Sequence, residues 1–174
     1  TVENGSLATM TSSDNITWTG AFTPSSDVED ATNVMSLATS YTDTAGNAGP
    51  SATTDNYQVD TVRPTVAAFT MSDTALISGE TSTVTLQFSE AVASFSSSAD
   101  ITVENGSLAT MTSSDNITWT GTFTPTSDVE DATNVLTLAT TYTDTAGNAP
   151  ASTSTTDNYT VDTTAATVVA FTLS

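Results

Sequence analysis

Apolar and polar residues alternate with a period of two along most of the chain. In STVTLQFS, Val84, Leu86 and Phe88 alternate with Thr and Gln, which is the pattern of a strand with one buried face. The same alternation occurs in TVAAFTMS, SLATMTS, ITWTGTF, NVLTL and NYTVD. Turn sequences such as ISGET, ENG and SSDN separate these segments. The pattern predicts an antiparallel β-sandwich of about seven or eight short strands per domain.

Helical periodicity is absent, so a parallel sheet with helical crossovers is not expected. The segment DVEDATN is predicted to form at most a single turn of helix. In TVAAFTMS, Val66 and Ala68 compete for the core with either Phe69 or Met71. The Asn-Gly step of ENG, at residues 104–106, is predicted to supply the positive φ of a tight turn.

The chain contains an internal repeat with a period of about 101–102 residues. The segment TVENGSLATMTSSDNITWTG occurs at residues 1–20 and returns unchanged at residues 102–121. A period of this length corresponds to one whole domain per repeat. The two VDT tripeptides, which end β-like segments, are predicted to be joints, and Pro64 stiffens the first of them.

The repeat predicts three parts of the chain. Residues 1–60 are expected to be the C-terminal part of one domain, residues 61–162 a complete domain, and residues 163–174 the first strand of the next. Residues 1–60 have no counterparts of TVAAFTMS and STVTLQFS. They should therefore expose an apolar face and open sheet edges, with the remaining strands disordered, cleaved away or supplied by another chain.

The charge balance restricts the partners. Twenty Asp and Glu residues accompany a single basic residue, Arg63, which gives a formal net charge of −19. Such a chain repels nucleic acid and anionic membranes. No apolar run approaches the ~18 residues of a membrane span, so membrane insertion is not expected. The repulsion among these carboxylates has to be offset for the chain to stay folded. Either salt in the surroundings screens an acidic surface, or divalent cations bind among the carboxylates.

Catalysis is not expected, because the chain lacks Cys, His and Lys. Without these residues a Ser or Thr hydroxyl has no activating base, and zinc and copper lack their preferred ligands.

Calcium suits the oxygen-rich loops better. DVED, TDTAGN and the VDT joint each occur twice, and Glu90 follows a predicted strand. The alternatives are a solvated acidic turn, an Asx turn and a linker Asp, respectively. The candidate Ca²⁺ ligands are Asp43, Asn47, Asp60, Glu90, Asp128, Glu130, Asp131, Asp144, Asn148 and Asp162.

The segments SEAV, VENG, VEDATN and TD-x-AGN, together with W-T-x-F-TP, resemble the bacterial Ig-like repeats of very large secreted surface adhesins, the RTX- and BapA-type extender domains. The resemblance covers essentially the whole chain. It implies an Ig-like sandwich, exported to the bacterial cell surface and arrayed in tandem in adhesion and biofilm proteins. It also implies calcium at or near the domain junctions, which favours Asp60, Asp162, Asp43, Asp144 and Glu90. At the second joint, Ala165-Ala166 replaces Arg-Pro, which puts the stiffness of that joint in doubt.

Three functions compete at this point. The first is a spacer that calcium stiffens, with neighbouring repeats of the same chain as partners. The second is a subunit of an extracellular filament or sheath that contacts sister chains laterally or by strand exchange. The third is a carbohydrate- or ice-binding module, for which the Thr stripe on ITWTGTFTPT is the only suggestion.

Overall fold

The structure is a computed structural model that describes residues 1–173. The chain divides into two compact units, Thr1–Val62 and Arg63–Ser174. In both units the regular secondary structure is almost all β-strand, as the alternation predicts.

The first unit contains six short strands. They form three separate antiparallel pairs, β1 with β2, β3 with β6 and β4 with β5. The strands are β1 (Gly5–Leu7), β2 (Phe22–Pro24), β3 (Glu29–Asn33), β4 (Ser36–Leu37), β5 (Ala52–Thr53) and β6 (Tyr57–Asp60).

The second unit contains ten strands and one short helix within the described residues. Its largest sheet has the order β11-β12-β9-β7, and two three-stranded sheets have the orders β13-β16-β8 and β10-β14-β15. The elements are β7 (Val66–Met71), β8 (Ala75–Ile77), β9 (Ser82–Phe88), α1 (Ser97–Asp100), β10 (Ile101–Val103), β11 (Gly106–Leu108), β12 (Thr118–Pro125), β13 (Glu130–Asn134), β14 (Leu136–Leu138), β15 (Ser154–Thr155) and β16 (Tyr159–Asp162).

The core of the second unit is formed by the apolar side of each alternating strand. Val84, Leu86 and Phe88 of β9 are fully buried, as predicted. In β7 Phe69 is buried, whereas Val66, Ala68 and Met71 are half-buried, because the register shifts between Val66 and Ala68. Such a shift lets residues on both sides of the bulge face the core.

The single helical turn of the described residues is not where the sequence offered one. DVEDATN does not form a helical turn, because Glu130 and Asp131 pair with β16 and so extend the backbone as β13. The helical turn lies instead at Ser97–Asp100, where the N–H of Asp100 bonds to the carbonyl of Ser96. A four-residue helix is too short to produce a hydrophobic period, so the sequence pattern gave no sign of it.

One strand pair is parallel although no helical crossover exists. β16 runs parallel to β8, with Val161 opposite Leu76. The connection from β8 to β16 consists of residues 78–158, which form most of the domain. Parallel pairing here therefore needs no helical crossover. The Asn-Gly step of ENG supplies a positive φ as predicted, with a φ of 45° at Asn105. β10 pairs with β14 and β11 with β12, so ENG joins strands that do not pair with each other.

The first unit leaves apolar side chains exposed, as expected of residues 1–60, while the assignment of these residues to one part of a domain stays a prediction. Met10, Trp18, Leu37 and Tyr41 are all exposed. In residues 163–173 the structure has no strand. The predicted first strand at 163–174 stays a prediction, because its counterpart β7 pairs with β9 and these residues have no such partner in the described chain.

Candidate metal centre

The TDTAGN loop of the second unit closes around the carboxylate of Asp144. Its Oδ1 accepts hydrogen bonds from the N–H groups of Ala146, Gly147 and Asn148 at 2.9, 2.7 and 2.8 Å. Its Oδ2 accepts one from the Asn148 side-chain amide at 2.8 Å. Gly147 permits this curl with a φ of 98°, a conformation that glycine adopts without steric cost.

These contacts determine the charge of Asp144. The residue is only 1% exposed, and burial alone would raise its pKa. The four hydrogen bonds from Asn148, Gly147 and Ala146 outweigh burial, so the pKa of Asp144 lies below its ordinary value. The side chain is therefore a buried carboxylate that stays ionised at neutral pH.

Glu90 brings a second carboxylate to the same place. It lies in the turn after β9, and the next segment is fastened to the TDTAGN loop by a bridge between Val92 and Asp144. The N–H of Ala93 also donates to the carbonyl of Thr143 at 2.9 Å. As a result, carboxylate oxygens of Glu90 and Asp144 lie within 4.8 Å of each other. At Ca–O distances of 2.3–2.6 Å, one calcium ion can contact two oxygens with this separation.

The donor chemistry of this pair fits a hard cation. The side-chain atoms that could bind a metal ion are the carboxylate oxygens of Glu90 and Asp144 and the amide oxygen of Asn148, and calcium prefers oxygen ligands of this kind. Zinc and copper favour imidazole and thiolate ligands, which the chain lacks.

The two joint aspartates occupy equivalent places at strand ends. Asp60 ends β6, and its Oδ1 accepts the N–H of Val62 at 3.2 Å. Asp162 ends β16, and its Oδ1 accepts the N–H of Thr164 at 3.3 Å. Across β13 and β16, Glu130 lies directly opposite Asp162. Like charges placed opposite each other destabilise a strand pair unless a cation lies between them.

The DVED carboxylates of the second unit point to different surroundings. Asp128 has a positive φ of 57° and lies in the turn before β13. Glu130 and Asp131 are successive strand residues, so their side chains leave β13 on opposite faces. Asp131 Oδ2 accepts the side-chain amide of Asn105 at 2.9 Å, and its Oδ1 accepts the N–H of Thr133. Within residues 1–173, these three carboxylates do not gather into one group.

The first TDTAGN loop repeats the geometry without the second carboxylate. Asp43 accepts the N–H groups of Ala45 and Asn47 at 2.9 and 2.8 Å and the Asn47 amide at 2.9 Å. The Asn47 side chain is the main cause of the lowered pKa of Asp43. This loop is exposed, and the repeat position of Glu90 has no counterpart in residues 1–62.

Sequence reasoning missed a buried asparagine network beside the acidic loops. Asn134 donates to the carbonyls of Asp131 and Tyr159, both at 3.1 Å, and accepts the side chain of Asn105 at 2.7 Å. Asn33 and Asn4 form the same contacts in the first unit. The signal was the recurrence of Asn in both VENG and VEDATN, which we interpreted as turn chemistry and acidic clustering.

Tyr159 also belongs to this network, because its carbonyl accepts the side-chain amide of Asn134. Its hydroxyl donates to the carbonyl of Glu104, and its ring meets Phe123 edge-on at 5.2 Å. Burial, followed by the nearby charge of Glu104, raises the pKa of Tyr159 to about 12. The network is therefore a fully bonded structural element of the core.

Comparison with known proteins identifies the family. The sequence model of the family described as "Bacterial Ig-like domain" matches residues 1–59 and again residues 60–161. No curated protein and no solved structure matches the chain. Among residues 1–173, no helix is long and apolar enough to cross a membrane. Both matches together cover most of the chain, which therefore belongs to the bacterial Ig-like domain family.

Proposed function

We propose that the chain is a structural spacer of a bacterial surface adhesin, built from tandem Ig-like repeats. Domains of its family are structural and typically lie at the cell surface or outside the cell. Two successive matches separated by no linker support a tandem arrangement. A spacer requires rigid units and stiff joints, and it does not require a catalytic cleft.

Calcium is the proposed stiffener, and the observation that carries the proposal is the pair Glu90 and Asp144. Two carboxylate oxygens within 4.8 Å of each other repel, and Asp144 is held ionised by its loop. A divalent cation removes that repulsion. Asp60, three residues before Arg63 in the joint, is the proposed third carboxylate ligand, and Asn148 is a proposed amide ligand. A cation bound by residues on both sides of a joint limits its bending.

The remaining predicted ligands also belong to the proposal. Asp162 with Glu130 is the proposed equivalent at the second joint, and Asp128 and Asp131 flank it. Asp43 and Asn47 would complete a site only with a carboxylate corresponding to Glu90.

Calcium titration tests the proposal. Extracellular calcium modules bind with dissociation constants of ~10⁻⁴ to 10⁻³ M. Calcium at about 10 mM should then stabilise the second unit by about 1.4–2.7 kcal/mol. Chelation should lower the melting temperature of the wild-type chain and decrease its radius of gyration in solution scattering.

Two variants and a matched control locate the effect. Asp144→Asn and Glu90→Gln should each remove most of the calcium-dependent rise in melting temperature. Asp43→Asn makes the same change in the first copy of the loop, where Glu90 has no counterpart, and should leave the calcium response intact. Scattering and melting curves that are identical with calcium and with chelator would contradict the calcium proposal and leave the family assignment untouched.

A further inference from the structure

In the second unit the chain passes through β8 near its beginning and through β16 at its end. The two strands pair in parallel, from Ala75 opposite Thr160 to Ile77 opposite Asp162. Residues 78–158 lie between the two strands in the sequence. Tension along the backbone therefore reaches those residues only after the contact between β8 and β16 has broken.

Parallel pairing determines how tension loads this contact. In a parallel pair the two strands start at the same end, so the chain enters β8 at one end of the pair and leaves β16 at the opposite end. Tension then pulls the strands past each other along their axes, and every hydrogen bond between them carries part of the load. In an antiparallel pair the chain would enter and leave at the same end, and the hydrogen bonds would break one after another.

Within the described residues, β16 is the only strand that pairs with β8, which lies at the edge of its sheet. On the outer edge of β8, the N–H of Ala75 donates to Asp73 Oδ1 at 2.9 Å. The N–H of Ile77 donates to Glu80 Oε2 at 3.0 Å. These carboxylates occupy donors that another strand would need. The pairing with β16 therefore determines how firmly β8 is held under tension.

Hydrogen bonds and burial both oppose sliding of the two strands. The carbonyl of Thr74 accepts the N–H of Thr160 at 2.8 Å and its hydroxyl at 3.4 Å. In the middle of the pair, Leu76 and Val161 face each other and are both fully buried. Because side chains alternate along a strand, a slip of one residue would move Leu76 from the core to the outer face of the sheet. Sliding therefore exposes apolar surface as well as breaking hydrogen bonds.

We propose that the contact between β8 and β16 is a mechanical clamp, which keeps the second unit folded while tension acts along the chain. The clamp goes beyond the spacer function, and it rests on the proposed tandem arrangement only for the origin of the tension. Its effect is on the unfolding rate, because forced unfolding is governed by that rate rather than by equilibrium stability. Neither the ladder nor the buried pair involves Glu90 or Asp144, so the clamp needs no calcium at that site.

Single-molecule pulling in chelator tests the clamp. The chain has no native cysteine, so handles can be attached at engineered ones. Handles at Thr74→Cys and Thr164→Cys load the pair along its strands. Handles at Ser78→Cys and Thr164→Cys lie at the same end of the pair and separate it one hydrogen bond at a time. All three side chains are exposed, and the first unit lies outside both pairs of handles.

The chain pulled along its strands should unfold at the higher force. Three residue pairs share the load in that geometry and one carries it in the other, so the unfolding forces should differ about threefold. Both chains should release nearly the same length of backbone, because the handles differ by only four residues. Their melting temperatures should agree. Equal unfolding forces would overturn the clamp and leave the spacer and calcium proposals, which melting and scattering test, untouched.

A proline on each strand locates the resistance. Thr160→Pro removes the N–H that donates to Thr74. In the chain pulled along its strands it should raise the unfolding rate at a fixed force about tenfold, and in the other geometry much less. Ala75→Pro is the matched control, because it lies directly opposite and removes an N–H that donates to Asp73 instead of β16.

The control position accepts the change, since proline is tolerated at the first residue of a strand. Equal effects of Thr160→Pro and Ala75→Pro on the unfolding rate would contradict the clamp. If Thr160→Pro does not fold, the two pulling geometries of the otherwise unchanged chain decide between the outcomes.

Discussion

At the residue scale, a few buried polar side chains determine how the acidic segments fold. Asn134 is 1% exposed, and its amide group satisfies carbonyls of both β13 and β16. Its own N–H donates to the side-chain oxygen of Asn158 at 3.0 Å. Such groups are held in place because leaving a buried donor or acceptor unpaired costs more than a hydrogen bond contributes. The bulge in β13 between Asp131 and Asn134 is bridged by these contacts.

Replacing this amide should destabilise one unit selectively. Asn134→Ala removes the amide that donates to the carbonyls of Asp131 and Tyr159, and it leaves Asn105 with Asp131 as its remaining acceptor. The loss should cost about 2–3 kcal/mol. Amide hydrogen exchange, read separately for each unit, measures the loss. Asn33→Ala deletes the equivalent side chain of the first unit and should leave protection in the second unit unchanged. Equal protection of β13 and β16 in wild type and Asn134→Ala would contradict the structural role.

At the element scale, one-sided burial explains why some strands were predictable. β9, β14 and β16 each bury alternate residues, so their pattern alone defined strand and face. β13 was not predictable in this way, because its residues do not alternate between buried and exposed: Asn134 is buried, Asp131 is half-buried and the other three are exposed. The register shift between Asp131 and Asn134 interrupts the period of two.

The candidate site was also only partly predictable from the sequence. The sequence identified the TDTAGN loop and Glu90 as separate candidates, because Asp, Asn and Gly in a short loop follow local rules. Their proximity depends on the bridge between Val92 and Asp144, which is a long-range contact with no sequence signature. Residue types were therefore predictable, whereas their grouping required the fold.

The contact between β11 and β12 can be tested with two glycines. A Cβ on Gly106 would lie 2.2 Å from the ring of Phe123 and 2.8 Å from a backbone oxygen. A Cβ on Gly121 would lie 2.8 Å from the flexible Met111 side chain. Overpacking of a filled core costs about 1–3 kcal/mol. The loss of stability should be near the upper end of this range for Gly106→Ala and smaller for Gly121→Ala, because the Met111 side chain can move aside more easily than an aromatic ring. Chemical denaturation measures both, and a reversed order would contradict the packing of Phe123.

At the scale of the whole molecule, 20 acidic residues oppose one basic residue. Self-repulsion of this size favours expanded states. Local hydrogen bonds to particular carboxylates stabilise the folded state instead. Loop N–H groups and side chains hold the pKa below its ordinary value of 3.8 for Asp14, Asp30, Asp43, Asp115 and Asp144. For Asp144, burial works against this lowering.

These two effects predict a maximum of stability on the acid side of neutrality in the absence of calcium. As the pH falls from 7 towards about 5, protonation begins to reduce the net charge, and repulsion weakens. A carboxylate with a lowered folded-state pKa stabilises the protein above its unfolded value and loses that contribution as the pH falls below 3.8. Melting temperatures in chelator at low salt should therefore rise and then fall as the solution is acidified. In about 1 M NaCl, where the Debye length is ~3 Å, the rise should disappear while the fall below 3.8 remains. A rise that persists at high salt would rule out net charge as its cause, because screening would already have removed the repulsion.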